Sequence, residues 1–172
     1  MSTRRVASEA GLTAPLVHYY FPTTDDLLLA VYRRAAERNY ARVSEALTSA
    51  QPLRALWMLS TDTTHTTLGV EFMALANHRK PIRLEIARNI ERSRGLQAEV
   101  LARLLADQDQ DRPACAPAGL SLLIAGISRA LVMEQALGIA AGHDELRSFV
   151  ESWLQRFEQP RGPRKRGRKR TG

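Results

Sequence analysis

Apolar side chains recur three to five residues apart along nearly the whole chain, with charged residues between them, and this spacing predicts helices. From Thr23 to about Ala50 the repeat runs through Leu28, Val31, Ala35, Tyr40, Val43 and Leu47, separated by Arg33, Arg34, Glu37 and Arg42. Its start is marked by Thr23 followed three residues later by Asp26, the spacing of a capping box, and Asp25 and Asp26 suit the positive end of a helix. Gln51-Pro52 interrupts the repeat, and a second helix through Leu53, Leu56, Trp57 and Leu59 is expected to reach about Leu68, where Gly69 separates it from a short segment, Val70 to His78. Pro81 fits a first helical turn, and the helix after it carries Ile82, Ile86, Ile90, Leu96, Val100, Leu101, Leu104 and Leu105. Along its wet face Glu85/Arg88, Glu91/Arg94 and Glu99/Arg103 are spaced to pair, each for a few tenths of a kcal/mol. The acidic stretch Asp107 to Ala118, with Pro113 and Pro117, ends it; two more helices, Gly119 to about Ala141 and Asp144 to Glu158, complete the body. No run of five or more residues alternates with period two, so strands are not expected. The fold class is all-α.

The stretch Ala118 to Ala141 is long enough to cross a bilayer, which takes about 20 residues. Arg129, Glu134 and Gln135 fall in its second half, and an ionised group near the membrane centre costs at least about 2.5 kcal/mol. A buried helix of a soluble protein is the better reading, with no membrane partner.

Charge adds a second feature. The chain of 172 residues has 25 Lys+Arg against 18 Asp+Glu, a net charge of +7. All of the excess lies in residues 160–172, where Arg161, Arg164, Lys165, Arg166, Arg168, Lys169 and Arg170 meet no acid. The remainder is neutral. The tail reads as a disordered basic segment that adds nonspecific phosphate affinity; Arg166-Gly167-Arg168 is like the core of an AT-hook, without the Pro expected after the second Arg. Cys115 is alone and the four histidines are scattered, so neither a disulfide nor a local metal motif is expected, and no cofactor. Met1 to Arg5 leads into no apolar signal core, which favours the cytoplasm. No nucleophile–base pair or Gly-rich phosphate loop marks an enzyme.

The spacing over residues 2–28 argues for two short helices joined by a sharp turn. Val6, Ala7 and Ala10 make a small apolar face, Gly11 can take φ > 0, Thr13 can cap the next helix and Pro15 suits its first turn. Val17, Tyr20 and Phe21 are expected to face inward, with Ala14, Leu16, His18 and Tyr19 outward. Small residues in the first helix allow the close crossing of a helix-turn-helix.

This segment resembles the second half of the DNA-binding domain of TetR-family transcriptional regulators, in Thr3, Arg5, Val6-Ala7, Ala10-Gly11-Leu12-Thr13, Val17, Tyr20-Phe21-Pro22-Thr23 and Asp26-Leu27-Leu28. The resemblance implies a homodimer whose helix-turn-helix reads a palindromic double-stranded operator and is released, as a repressor is, when a small-molecule effector binds the C-terminal domain. Leu12 to Phe21 corresponds to the recognition helix. Positions matching Thr3, Thr13, His18, Tyr19 and Tyr20 touch phosphates in the family, and those matching Arg4, Ala14, Pro15 and Leu16 lie near bases. The chemistry agrees for Thr13, a hydroxyl donor to phosphate, and for Arg4, which can hold a guanine edge; Ala14 and Leu16 offer apolar contact to a thymine methyl. Thr24 stands where the family usually has lysine. Family members also carry a first helix ahead of this segment, where the sequence begins at Met1; a start further upstream is expected, the alternative being a shortened, DNA-incompetent helical dimer that binds a small molecule or a full-length partner.

The expected organisation is a helix-turn-helix domain with the start of a linking helix over 1–45, an effector-binding and dimerisation bundle over 46–159, and the tail over 160–172. Trp57, Met58, His65, Phe72, Met73, Asn77 and Met133 are candidate effector contacts, as aromatic, Met and polar residues on the helices that would enclose a pocket. By the resemblance the last two helices make the dimer interface, with Leu123, Gly126, Ala130, Phe149, Trp153 and Phe157 as its residues.

Overall fold

The computed structural model of the protein describes residues 3–106 and 116–158, all in helices and short connections, with no strand among them. Cys115, most of the proline-bearing loop before it and the basic tail lie outside the described residues. The chain divides into two compact units between Ile139 and Ala140.

In the first unit, α1 (Thr3–Glu9) and α2 (Ala14–Tyr20) form the helix-turn-helix. α3 (Thr24–Thr48) follows after one turn, and its capping box is complete: the Thr23 hydroxyl accepts from the Asp26 N–H at 3.1 Å, and the Asp26 carboxylate accepts from the Thr23 N–H at 3.0 Å. α4 (Pro52–Thr61) and α5 (Thr63–Ala76) meet at Asp62. The sequence reading placed this break at Gly69; instead α5 runs through Gly69. The cause is the Asp62 carboxylate, which accepts from the Thr64 N–H at 3.0 Å to start α5 and from Arg42 of α3 at 3.1 Å. A capped aspartate held by a neighbouring helix outweighs the roughly 1 kcal/mol that a glycine costs inside a helix.

α6 (Lys80–Leu105) lies along α3. Their cross-links keep a nearly constant sequence separation of 52 to 57, from Arg79 with Asp25, through Arg33 with Glu85 and Asn89 with Tyr32, to Arg92 with Glu37. Constant separation means that the two helices run parallel. Beneath these polar links Leu28, Tyr32 and Ala36 of α3 bury themselves against Phe72 and Ala76 of α5 and Ile82 and Ile86 of α6. The rings of Tyr32 and Phe72 sit 5.1 Å apart, tilted by 59°, and burial pushes the Tyr32 phenol above its usual value. The buried stripe of α3 passes through Tyr32 and Ala36, where the repeat read from sequence put Val31 and Ala35; Val31 is 43% exposed.

α7 (Pro117–Ala136) packs on α4, α5 and α6. It is the one helix among the described residues long and apolar enough to cross a membrane by length and composition. Rather than being buried all round, it covers only one face, with Leu120, Ser121, Ile124, Ser128, Leu131 and Val132, while Leu122, Leu123, Met133 and Leu137 stay exposed. Among the described residues the second unit holds one helix, α8 (His143–Glu158), whose first turn carries Asp144 and Glu145.

Candidate nucleic-acid interface and interior cavity

The turn between α1 and α2 follows from Gly11. At φ +65° it lets the Leu12 N–H reach the Ala7 carbonyl at 2.9 Å and its own N–H reach the Ser8 carbonyl at 3.2 Å. These are the two bonds of a Schellman ending, and they reverse the chain within three residues. Ala7 and Val17, 1% and 5% exposed, fill the crossing of the two helices. Thr13 occupies the position before α2 in extended conformation, but its hydroxyl makes no capping bond, contrary to the role expected for it. That hydroxyl is left to the surface. Pro15 lies in the first turn, as its fixed φ and missing N–H favour.

The side chains expected to contact DNA lie on these two helices and the turn between them. Arg4, Thr13, Pro15, Leu16, His18, Tyr19 and Tyr20 are exposed, and Thr3 and Ala14 half-buried. Tyr20 departs from the inward face expected of it and is 66% exposed. At about 100° per residue it sits roughly 60° around the helix from Val17, and in a helix of seven residues only Val17 is covered. Tyr19 and Tyr20 instead stack edge to face, with ring centres 5.2 Å apart. Two adjacent exposed phenols, a free threonine hydroxyl and an exposed arginine are donors of the kind that hold a duplex backbone in register.

Between α3, α5, α6 and α7, with the end of α4, lies a cavity of about 490 Å³. Of the residues proposed from sequence to contact an effector, Phe72 and Met73 line it. Trp57, Met58, Asn77 and Met133 do not; Met58 and Met133 are exposed on the surface and Asn77 closes the end of α5. The His65 side chain lies outside what is described. The sequence reading missed the polar lining, much of which comes from α6 and α7, with Asn89, Ser93, Arg94, Gln97, Ser121 and Arg129, and some from α3, with Arg38 and Asn39. Gln97 and Ser121 are hydrogen-bonded to each other, and the Ser128 hydroxyl donates to its own helix at Ile124. One signal was available in the chain. Arg129 is the single basic residue in the apolar stretch that forms α7.

The residues proposed for dimerisation fall in both units. On α7, Leu123, Gly126 and Ala130 are exposed on one face. On α8, Phe149 is 68% exposed and Trp153 half-buried, and the Phe157 side chain is not described.

Residues 1–31 match the family model of bacterial regulatory proteins, tetR family. The match ends inside α3, and so takes in the whole helix-turn-helix and its link to the body. No curated protein and no solved structure matches the chain.

Proposed function

We propose that this chain, whose N-terminal segment supports a DNA-binding transcriptional regulator of the tetR family, is a cytoplasmic repressor that leaves a palindromic operator when a small molecule fills the cavity of its body. Residues 1–45 read DNA and 46–159 bind effector and partner subunit. Thr3, Thr13, His18, Tyr19 and Tyr20 serve as phosphate contacts, and Arg4, Ala14, Pro15 and Leu16 face the bases. The observation that carries the reading is the match over residues 1–31 together with the Gly11 turn that presents these side chains outward.

Release by an effector is supported by the path of α3. The same helix begins with the capping box behind α2 and lines the cavity with Tyr32, Ala35, Asn39 and Val43. A ligand that moved α3 against α6 would therefore move the helix-turn-helix, and differential binding to the two positions is all that release requires. The second copy is argued from α7, where Leu122, Leu123, Met133 and Leu137 leave an apolar face beside the small Gly126 and Ala130.

The test is operator binding by fluorescence anisotropy, using the chain with any in-frame residues its gene encodes ahead of Met1 and duplexes tiled across the flanking DNA. A palindrome bound at least a hundredfold tighter than scrambled duplex is expected. Equal affinity for every duplex would sink the reading.

A further inference from the structure

The cavity has an uncompensated charge. Arg38, Arg94 and Arg129 line it, from α3, α6 and α7, and among the described residues no Asp or Glu does. Arg94 and Arg129 are half-buried, and among the described residues none of the three makes an ion pair, whereas Arg33, Arg42, Arg79 and Arg92 nearby all do. Arg94 has Glu91 at the right spacing on its own helix and does not pair with it. Beside Arg94 the Ser93 hydroxyl is fully buried and has no hydrogen-bond partner. Unpaired cations partly removed from water cost free energy that an anion between them would recover. The rest of the wall is apolar, with Val43, Leu59, Leu68, Phe72, Ile86 and Ile90. The volume falls in the range of pockets that enclose a drug-sized molecule, roughly 300–1,000 Å³.

We infer that the ligand of this cavity is an amphipathic organic anion, whose carboxylate or phosphate-monoester head is held by Arg94 and Arg129 while its apolar body lies against Phe72 and Ile86. The inference rests on the effector reading of the same cavity. Guanidinium groups suit such heads, since their planar N–H forks match paired oxygens. Arg38, the exposed member of the three, attracts the anion at the surface.

The test is calorimetric titration of the full chain, free of DNA, with octanoate, octyl phosphate and octan-1-ol, and with 4-phenylbutanoate and 4-phenylbutan-1-ol. At least one anion is expected to bind tenfold or more tighter than the alcohol of the same body; the octanoate and octyl phosphate arms tell which head is preferred. Arg94→Gln or Arg129→Gln should weaken the anion at least tenfold and leave the alcohol unchanged. Arg94→Lys and Arg129→Lys, which keep the charge, should recover part of the loss, and this partial recovery separates a head-group contact from a folding defect. Alcohols that bind as tightly as their anions, no binding by any of the five, or equal losses for anion and alcohol in the Gln variants would each overturn the inference. A chain that binds the anion but no operator would sink the regulator reading and leave the anion site standing. Anion binding without change in operator affinity would remove only its role as effector.

Discussion

Gly11 and Gly69 show how one residue type acts through opposite physics. Gly11 sits at φ +65°, and although nothing lies within 4 Å of where a Cβ would stand, an L side chain is strained in that conformation. Gly11→Ala should cost about 1–2 kcal/mol and loosen the crossing of α1 on α2, so operator affinity falls with little change in the melting of the body. Gly69 is an ordinary helical residue inside α5 that lines the cavity, also with open space around its missing Cβ. Gly69→Ala should raise stability by up to about 1 kcal/mol while the new methyl narrows the pocket, so thermal melting goes up and ligand affinity changes. Unchanged ligand affinity in this variant would mean that the ligand lies away from α5.

At the scale of the helix, the parallel pair α3 and α6 is joined by side chains whose charge depends on pH. The hydrogen bond from the Arg33 guanidinium, at 2.8 Å, is the main reason that the Glu85 carboxyl is held below its ordinary value of 4.5; burial opposes it, and the charges of Arg33 and, least, Arg88 add to the lowering. A lowered value in the fold means that the ionised form is favoured there. Its stabilisation is therefore complete above about pH 4.5 and is lost as the pH falls through the folded value. The melting temperature of Glu85→Gln should lie below that of the parent at neutral pH, with the gap closing in acid; a constant gap would assign the effect to packing. What the sequence revealed at this scale was local. Thr23 with Asp26, Pro81 and the end of α1 at Gly11 are written in adjacent residues, and each is found where the spacing put it. The junction at Asp62 depends on a partner in another helix, Arg42, and the place of Arg94 in the cavity wall depends on how α6 meets the other helices; periodicity along one helix has no access to either. The same limit applies to the cavity: Phe72 and Met73 could be picked as large side chains of a central helix, whereas Ser93, Gln97 and Ser121 become a polar wall only when α6 meets α7.

For the whole molecule, the exposed apolar face of α7 gives the first prediction. Leu123 is 54% exposed beside Gly126 and Ala130, so Leu123→Arg should leave the fold of the unit intact and halve the mass measured by light scattering if this face joins two copies. An unchanged dimer would move the interface elsewhere. Charge gives the second. Between Ser2 and Phe21 the chain has only Arg4 and Arg5 against Glu9, and residues 1–159 as a whole balance at 18 basic and 18 acidic, so the surface proposed to read bases has little of the charge that draws a protein to DNA. The seven basic residues of 160–172 supply that charge from a different part of the chain. Specific and nonspecific binding should then respond alike to removing them. A chain ending at Gln159 is expected to lose affinity for operator and for scrambled duplex by similar factors, keeping the ratio between them, because phosphate contacts carry no sequence information. The slope of log K against log salt should flatten by roughly 0.9 for each phosphate released. A preserved slope would mean that the phosphate contacts come from the arginines of the body, and that the tail takes no part in holding DNA.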